Sequence, residues 1–329
     1  MERRMEVAFF TEGNINRKIP RNYPNMRTDM AWRCALNADH HSFRIMPWPE
    51  DRQYDLGIVI IPKQLTFVDN LSKNYIQDAK RICKKVAVMQ EGPNWGWQDY
   101  SMDLQVWYYN TLQEADFLIC HNKNDQRYYA GLTGKDIYVM PSLMIEDSIN
   151  DITTGRYKNM NEVMIGGNMT SWYGGFDSMI VAQEFGCEIK APSMGRKIER
   201  EDELDINHLP YMNWVQWIDE LSMVKYGVHM MRTHAAGTFA LNCAYLGIPC
   251  IGYNGLDTQE ICHPDCTVEL GDLESAKKIA RKLRNDEEFY LKCSLVAKEM
   301  YRHFKEDAFL KRFDRIIKEN ENKHNTAIT

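Results

Sequence analysis

The chain is 329 residues long, 44% hydrophobic and 26% charged, with a formal net charge of −6. That length suits two ordinary domains and that composition a soluble globular protein; no apolar run approaches the roughly 20 residues of a membrane span, and the overall charge does not point to nucleic acid, although a local basic patch would suffice. Nine scattered cysteines, an odd number, argue for reduced thiols in a cytosolic setting.

The opening stretch MERRMEVAFFTEG has too short an apolar run for a secretory signal. A cytoplasmic location is expected. Short apolar runs at 7–10, 43–46, 56–61, 86–89, 117–120 and 137–140 read as strands, and the stretches 69–84 and 124–130 have helical length. Strands alternating with helices predict a parallel sheet covered on both faces, with ligands beyond the C-terminal strand ends.

Several polar residues of this half are placed for chemistry. Glu91, in Met89-Gln90-Glu91-Gly92-Pro93, leaves a strand directly into a turn and should project at the sheet's C-terminal rim. Asp29 opens a helix, where it either complements the helix dipole or acts as a base. Glu12-Gly13 follows the first strand and suits the lining of a ligand site. Arg17, Lys18, Arg21, Arg27 and Arg33 stand against one acid, Asp29, in a loop rich in Pro and Asn. Such a loop pairs with phosphates when exposed. Trp95, Trp97, Tyr100, Trp107, Tyr108 and Tyr109 form an aromatic run that is either core or a surface for stacking a base or a sugar.

The turn-rich stretch 145–161 is the expected linker, dividing the chain into 1–150 and 151–329. Beyond it, a strand at 163–165 enters Gly166-Gly167-Asn168, a helix is expected over 177–185 and a strand over 188–191. Arg196 and Lys197 follow in PSMGRK, and the acidic run 199–205 reads as surface. A helix is expected at 214–224, then a strand at 228–231 and the polar turn Arg232-Thr233-His234-Ala235-Ala236-Gly237-Thr238. A helix at 239–246 ends at Gly247 and Pro249, before a strand at 250–253 and the loop 254–260. Small residues at a turn let a ligand approach the backbone, and free N–H groups at a helix start attract phosphate. A short strand at 267–270 and a charged helical stretch at 275–319 complete the pattern. Cys262-His263-Pro264-Asp265-Cys266 lacks a second ligand pair for zinc, and no metal site is expected.

The stretch 226–260 resembles the nucleotide-sugar site of GT-B glycosyltransferases, with His234 at the turn, Gly237-Thr238 in the phosphate loop and Gly247-Ile248-Pro249 as the Gly-x-Pro. The resemblance implies two Rossmann-like domains facing a cleft, an acceptor side in the first half, and C-terminal helices that cross back to it. It implies that Gly166, Gly167, Arg196, Lys197, His234, Gly237 and Thr238 hold the diphosphate of the donor. Asn242 stands where the family has a ribose-binding Glu, and Asp257, Thr258, Gln259 and Glu260 fall where it contacts sugar hydroxyls. The donor is expected to be a UDP-sugar, with no tightly bound cofactor and no metal. The stretch NYPNMRTDMAWRCALNADHH resembles phage-encoded glycosyltransferases, some of which modify hydroxymethylated pyrimidines in DNA. That makes double-stranded DNA one expected acceptor; a small molecule, glycan or protein is the other. Glu91 or Asp29 is then the base, and Glu12, Arg17, Lys18, Arg21, Arg27, Trp95 and Trp97 form the acceptor side. A sugar-nucleotide epimerase and a non-catalytic nucleotide or nucleic-acid binder on the same scaffold remain as alternatives.

Overall fold

The computed structural model describes residues 5–13, 18–44, 48, 52–61, 74–89, 94–97, 100–152, 162–192 and 198–326. The chain divides into two units. The first comprises Met1–Arg21, Asp29–Pro141 and Glu306–Thr329, the second Asn22–Thr28 and Ser142–Lys305.

The first unit is built on strands β1 (Val7–Thr11), β2 (Asp39–Ser42), β3 (Tyr54–Val59), β4 (Cys83–Met89), β5 (Phe117–Cys120) and β6 (Ile137–Val139). They lie in the order β2-β1-β3-β4-β5-β6, and every described pairing is parallel. Helices α1 (Thr28–Ala35), α2 (Tyr75–Lys80), α3 (Met102–Glu114) and α4 (Lys123–Thr133) connect them. The central strands β3 and β4 are apolar and buried over 56–59 and 86–89, where both faces are covered, while Asp55, Lys84 and Lys85 near their starts are not fully buried. The edge strand β2 reads Asp-His-His-Ser instead of the expected apolar run at 43–46, with His40 and Ser42 turned inward and Asp39 and His41 half-buried. An edge strand has one ladder to satisfy, so its sequence is freer. Phe43 follows it and packs on Tyr75, ring centroids 4.2 Å apart. Helix α2 is shorter than 69–84: Asn74 caps it by accepting from the Gln77 N–H, and Cys83 already belongs to β4. Residues 62–73 lie outside the described set.

The second unit carries β7 (Glu162–Ile165), β8 (Glu188–Pro192), β9 (Asn207–Leu209), β10 (Tyr226–His229), β11 (Cys250–Tyr253) and β12 (Thr267–Val268). Their order is β12-β11-β10-β7-β8-β9, again parallel. Chain order therefore reverses between β7 and β10, the place where an open α/β sheet leaves a crevice at its C-terminal ends. The helices are α5 (Gly175–Ala182), α6 (Trp214–Leu221), α7 (Thr238–Leu246), α8 (Asp257–Cys262), α9 (Leu273–Asn285) and α10 (Glu287–Met300). The last helix, α11 (Glu306–Thr326), belongs to the first unit, so the chain's end does return to it.

Two stretches depart from expectation. Residues 145–152 are packed into the second unit, with Ile145 and Ile149 buried and the Tyr245 hydroxyl donating to the Ile149 carbonyl. The remainder of the expected linker, 153–161, lies outside the described residues. Glu201, within the supposed surface run, is buried because its carboxylate accepts the Ile198 N–H (2.9 Å) and lies 3.3 Å from His208 Nδ1. Among the described residues no helix is long and apolar enough to cross a membrane.

Candidate functional site

Two loops leave the reversal point of the second sheet, one after β7 and one after β10. Gly166 follows β7 and donates its N–H to the Val228 carbonyl at 2.8 Å. A Cβ on Gly166 would lie 2.6 Å from the His229 ring and 2.8 Å from Phe239, so close packing requires this glycine. Gly167 has a φ of +76° and lies against Tyr173. The space beside both glycines is filled by protein, which accounts for them without a ligand. The loop then turns at Gly174, where a Cβ would overlap the Met230 carbonyl at 1.9 Å, and enters α5. Ser178 locks this corner, donating to the Gly174 carbonyl and accepting the Met230 N–H.

After β10, Met230 and Met231 are buried and the chain turns outward through Arg232. Arg232 pairs with Asp177 in the first turn of α5, Nη2 to Oδ2 at 2.8 Å. The Thr233 hydroxyl donates to the Trp172 carbonyl, tying the two loops together. His234 is half-buried; desolvation lowers its pKa, against a hydrogen bond to the Asn254 backbone and the charge of Glu260. The lowered pKa favours the neutral imidazole. Gly237, with a φ of +67°, turns the chain into α7.

The two helix starts at this point differ in a way that decides between them. Neither has a capping side chain. The positive end of α5 already faces Asp177, whereas α7 has no acidic residue in its first turn and is approached through Ala235-Ala236-Gly237. The N–H groups and positive dipole end of such a helix start favour an anion. The start of α6, by contrast, is closed. Asn213 and Gln216 form a capping box, Asn25 Oδ1 accepts the Trp214 N–H at 3.0 Å, and the Pro24 carbonyl accepts that of Val215 at 3.2 Å.

The other donor-side residues differ in burial and in the partners that hold them. Asn242 is 4% exposed; its amide oriented to satisfy both neighbours donates to the Thr238 carbonyl (3.2 Å) and accepts from Trp217 Nε1 (3.1 Å). It stands on the packed side of α7, committed to internal partners. Thr258 and Gln259 are buried too, Thr258 donating to the Gly237 carbonyl and Gln259 to the Cys250 carbonyl, both at 2.9 Å. Asp257 is half-buried at the start of α8, and exposed Glu260 folds back to accept the Gly255 N–H at 2.7 Å. Gly237, Thr238 and His234 are thus brought together on one loop. Arg196 and Lys197 lie outside the described residues.

In the first unit the basic loop is not a free patch. Lys18 lies 4.0 Å from Asp39, Arg21 makes a two-pronged pair with Glu306, and Arg33 is fully buried beside Asp29. Arg27 belongs to the second unit, where it donates to the Met212 carbonyl and burial lowers its pKa. Asp29 serves as counter-ion to Arg33 at 3.9 Å. Glu12 is exposed just past β1. Arg17 and Glu91 lie outside the described residues, as do the side chains of Trp95 and Trp97 in the 3-10 turn Asn94–Trp97. Tyr108, from the same aromatic run, is core and donates to the Tyr129 hydroxyl. Sequence reasoning gave no site role to Asp177 or Asp125. The contrast between α5 and α7 was available as an acid in one first turn and none in the other.

No family model matches this chain, and no curated protein matches it in sequence. Solved structures do. An alpha-glucosyltransferase in complex with UDP-glucose and DNA containing an abasic site superposes with a TM-score of 0.63 at 14% identity, covering 95% of this chain and 99% of that one. Anabaena Alr3699/HepE in complex with UDP and glucose gives a TM-score of 0.63 at 11% identity, covering 96% and 100%. The pneumococcal O-GlcNAc transferase GtfA, in complex with UDP and GlcNAc, gives 0.57 at 11% identity; this chain covers 57% of its length. Likeness at such identities establishes architecture: two Rossmann-like units of parallel sheet and helix, the GT-B fold.

Proposed function

We propose that the chain is a glycosyltransferase that moves a sugar from a nucleotide sugar, expected to be a UDP-sugar, to a hydroxyl group. The observation that carries this reading is the start of α7: uncapped, free of acid, reached through small residues, and set at the sheet reversal. A diphosphate leaving group needs such a cluster of oriented N–H donors, because charge accumulates on it as the glycosidic bond breaks. The solved structures of this fold with UDP or UDP-glucose support the same donor class. Gly237, Thr238 and His234 supply the grip, with Arg196 and Lys197 as its cations; Asp257 and Glu260 are assigned to the sugar. No metal ligand is assigned to the reaction.

For the attacking hydroxyl, Glu91 is the preferred base. The pairing of Asp29 with buried Arg33 favours a structural role for Asp29. The acceptor reading is a hydroxymethylated pyrimidine in DNA, in the cytoplasm of a phage-infected cell. It is supported by the resemblance of the first loop and by the neighbour solved with DNA. The engagement of Lys18, Arg21 and Arg27 means that a phosphate contact by them would require exchange of partners.

The test is a thermal-shift screen of nucleotide sugars, since a ligand of the native state raises its stability. The best donor is then incubated with hydroxymethylated DNA and the nucleosides weighed. A mass gain of one sugar supports the proposal. Turnover of donor without any acceptor indicates an epimerase, and binding without turnover a non-catalytic protein.

A further inference from the structure

Asp125 lies in the first turn of α4, just past the C-terminal end of β5, and is 1% exposed. Its Oδ1 accepts from Asn94 Nδ2 at 3.0 Å and its Oδ2 from Asn122 Nδ2 at 2.9 Å; the Asn94 backbone N–H also bonds it. Asn122 cannot turn its amide round, because its own Oδ1 caps α4 by accepting the Asp125 N–H at 2.9 Å. The Asn94 backbone can only donate. A group surrounded by N–H donors is matched by an ionised carboxylate and by no neutral side chain of that shape.

Burying such a charge costs stability, and helix capping alone does not require it, since Asn122 already caps α4. What the charge adds is the bond to Asn94. Asn94 opens the 3-10 turn Asn94–Trp97 after β4, and the bond joins residues 31 positions apart, at the C-terminal ends of two neighbouring strands.

We infer that Asp125 is a positioning residue: its buried negative charge clamps the turn carrying Trp95 and Trp97 to the start of α4, on the acceptor-side rim of the first sheet. With both oxygens occupied it does not touch substrate; it acts through Asn94. The effect on turnover rests on the transferase reading, whereas the clamp is a property of the chain alone.

The clamp is sensitive to pH. Burial pushes the Asp125 carboxyl up to about 6, outweighing the donors that pull it down. Below that pH the carboxyl is neutral and its charge-assisted bonds to these N–H donors weaken. The titratable and charged groups on elements packed against it include Lys123, Arg127, Tyr128 and Tyr129 on its own helix, Tyr108 and Tyr109 on α3, Cys120 on β5 and Tyr138 on β6. On α3, Glu114 is held by Asn74 and Gln77, and Asp103 is exposed. His121, between β5 and Asn122, packs on Trp32 at 5.4 Å. The test therefore follows the carboxyl itself.

In the intact chain, the Asp125 carboxyl carbon and the Asn94 amide signals are followed by NMR between pH 4.5 and 8. The expected result is one shared midpoint at about 6, with the Asn94 response lost in Asp125→Asn. A carboxyl that titrates near its ordinary 3.8, or Asn94 signals that stay flat, overturns the clamp. In transfer assays Asp125→Asn should lower kcat by at least about tenfold, with donor affinity kept and the acid limb near pH 6 removed. A wild-type kcat and pH profile in that variant overturns the role in turnover. Should Asp125→Asn fail to fold, Asn94→Ala removes the tie while keeping the α4 cap, and the same fall in kcat is expected. A wild-type protein that transfers no sugar defeats the transferase reading, and the NMR result then decides the clamp alone.

Discussion

The Thr258 hydroxyl donates to the Gly237 carbonyl at 2.9 Å, and a Cβ on Gly237 would come within 2.1 Å of that same oxygen. The loop that opens α7 is thus held from behind by α8, and its glycine is fixed twice, by a φ of +67° and by the hydroxyl. Gly237→Ala should destabilise the chain by about 1–3 kcal/mol and abolish the thermal shift given by nucleotide sugars. Thr258→Ala relieves the clash but not the φ penalty, so the double variant should be more stable than the sum of the two losses predicts. Urea unfolding of the four proteins checks this.

Asn242 takes the place of a ribose ligand in the resemblance, yet its amide serves Trp217 and the Thr238 carbonyl. Asn242→Ala should cost about 1–3 kcal/mol, from the donors and acceptors it leaves unpaired. Donor affinity measured by calorimetry should change less than about threefold at a temperature where the variant is folded. A large loss of affinity with unchanged stability would restore the ribose role.

Arg33 is fully buried, and Asp29 stands 3.9 Å from its Nη1. Asp29→Asn should lower stability by about 1–3 kcal/mol, because it leaves a buried charge without this counter-ion. A catalytic Asp29 would behave differently, losing transfer with Tm unchanged. Comparing Tm with kcat in this one variant separates the roles.

His263 is bound on both ring nitrogens, accepting the Cys250 N–H at Nδ1 (3.3 Å) and meeting the Ala240 carbonyl at Nε2 (2.9 Å). That arrangement fits a neutral ring, and burial pushes its pKa from 6.5 down to about 4. Burial pushes His229 down to about 4 as well. The folded state holds these protons more weakly than the unfolded chain. The stability they support is complete above pH 6.5 and is lost as the pH falls toward about 4. Asp125 has the opposite sign, its raised pKa giving a contribution present below 3.8 and lost as the pH rises through about 6. Denaturant midpoints should fall steeply from pH 6.5 to 4 in the wild type. His263→Gln, which keeps two bonding groups without a titrating ring, should flatten that slope.

Apolar runs of parallel-strand length located most of the strands, because central strands are covered on both faces and their sequences show it. The edge strand Asp39–Ser42 escaped for the converse reason: with one ladder and one half-wet face, its residues are polar. At the site, Gly237 and the entry to α7 were legible as a small-residue turn before a helix. What the sequence could not show is which side of a helix faces a ligand. Asn242 and Thr258 fall at the right spacing but point into packing, and Arg21 and Arg27 read as a patch until their partners Glu306 and Met212 are known. Asp125 was hidden because its partner Asn94 is distant in sequence.

The central claim is that the start of α7 grips the pyrophosphate of a nucleotide sugar, and a crystal structure of the chain with UDP-glucose addresses it directly. The account predicts phosphate oxygens within hydrogen-bonding reach of the N–H groups of Thr238 and Phe239, with His234 alongside. A diphosphate bound elsewhere, or no binding at millimolar UDP-glucose, would contradict it.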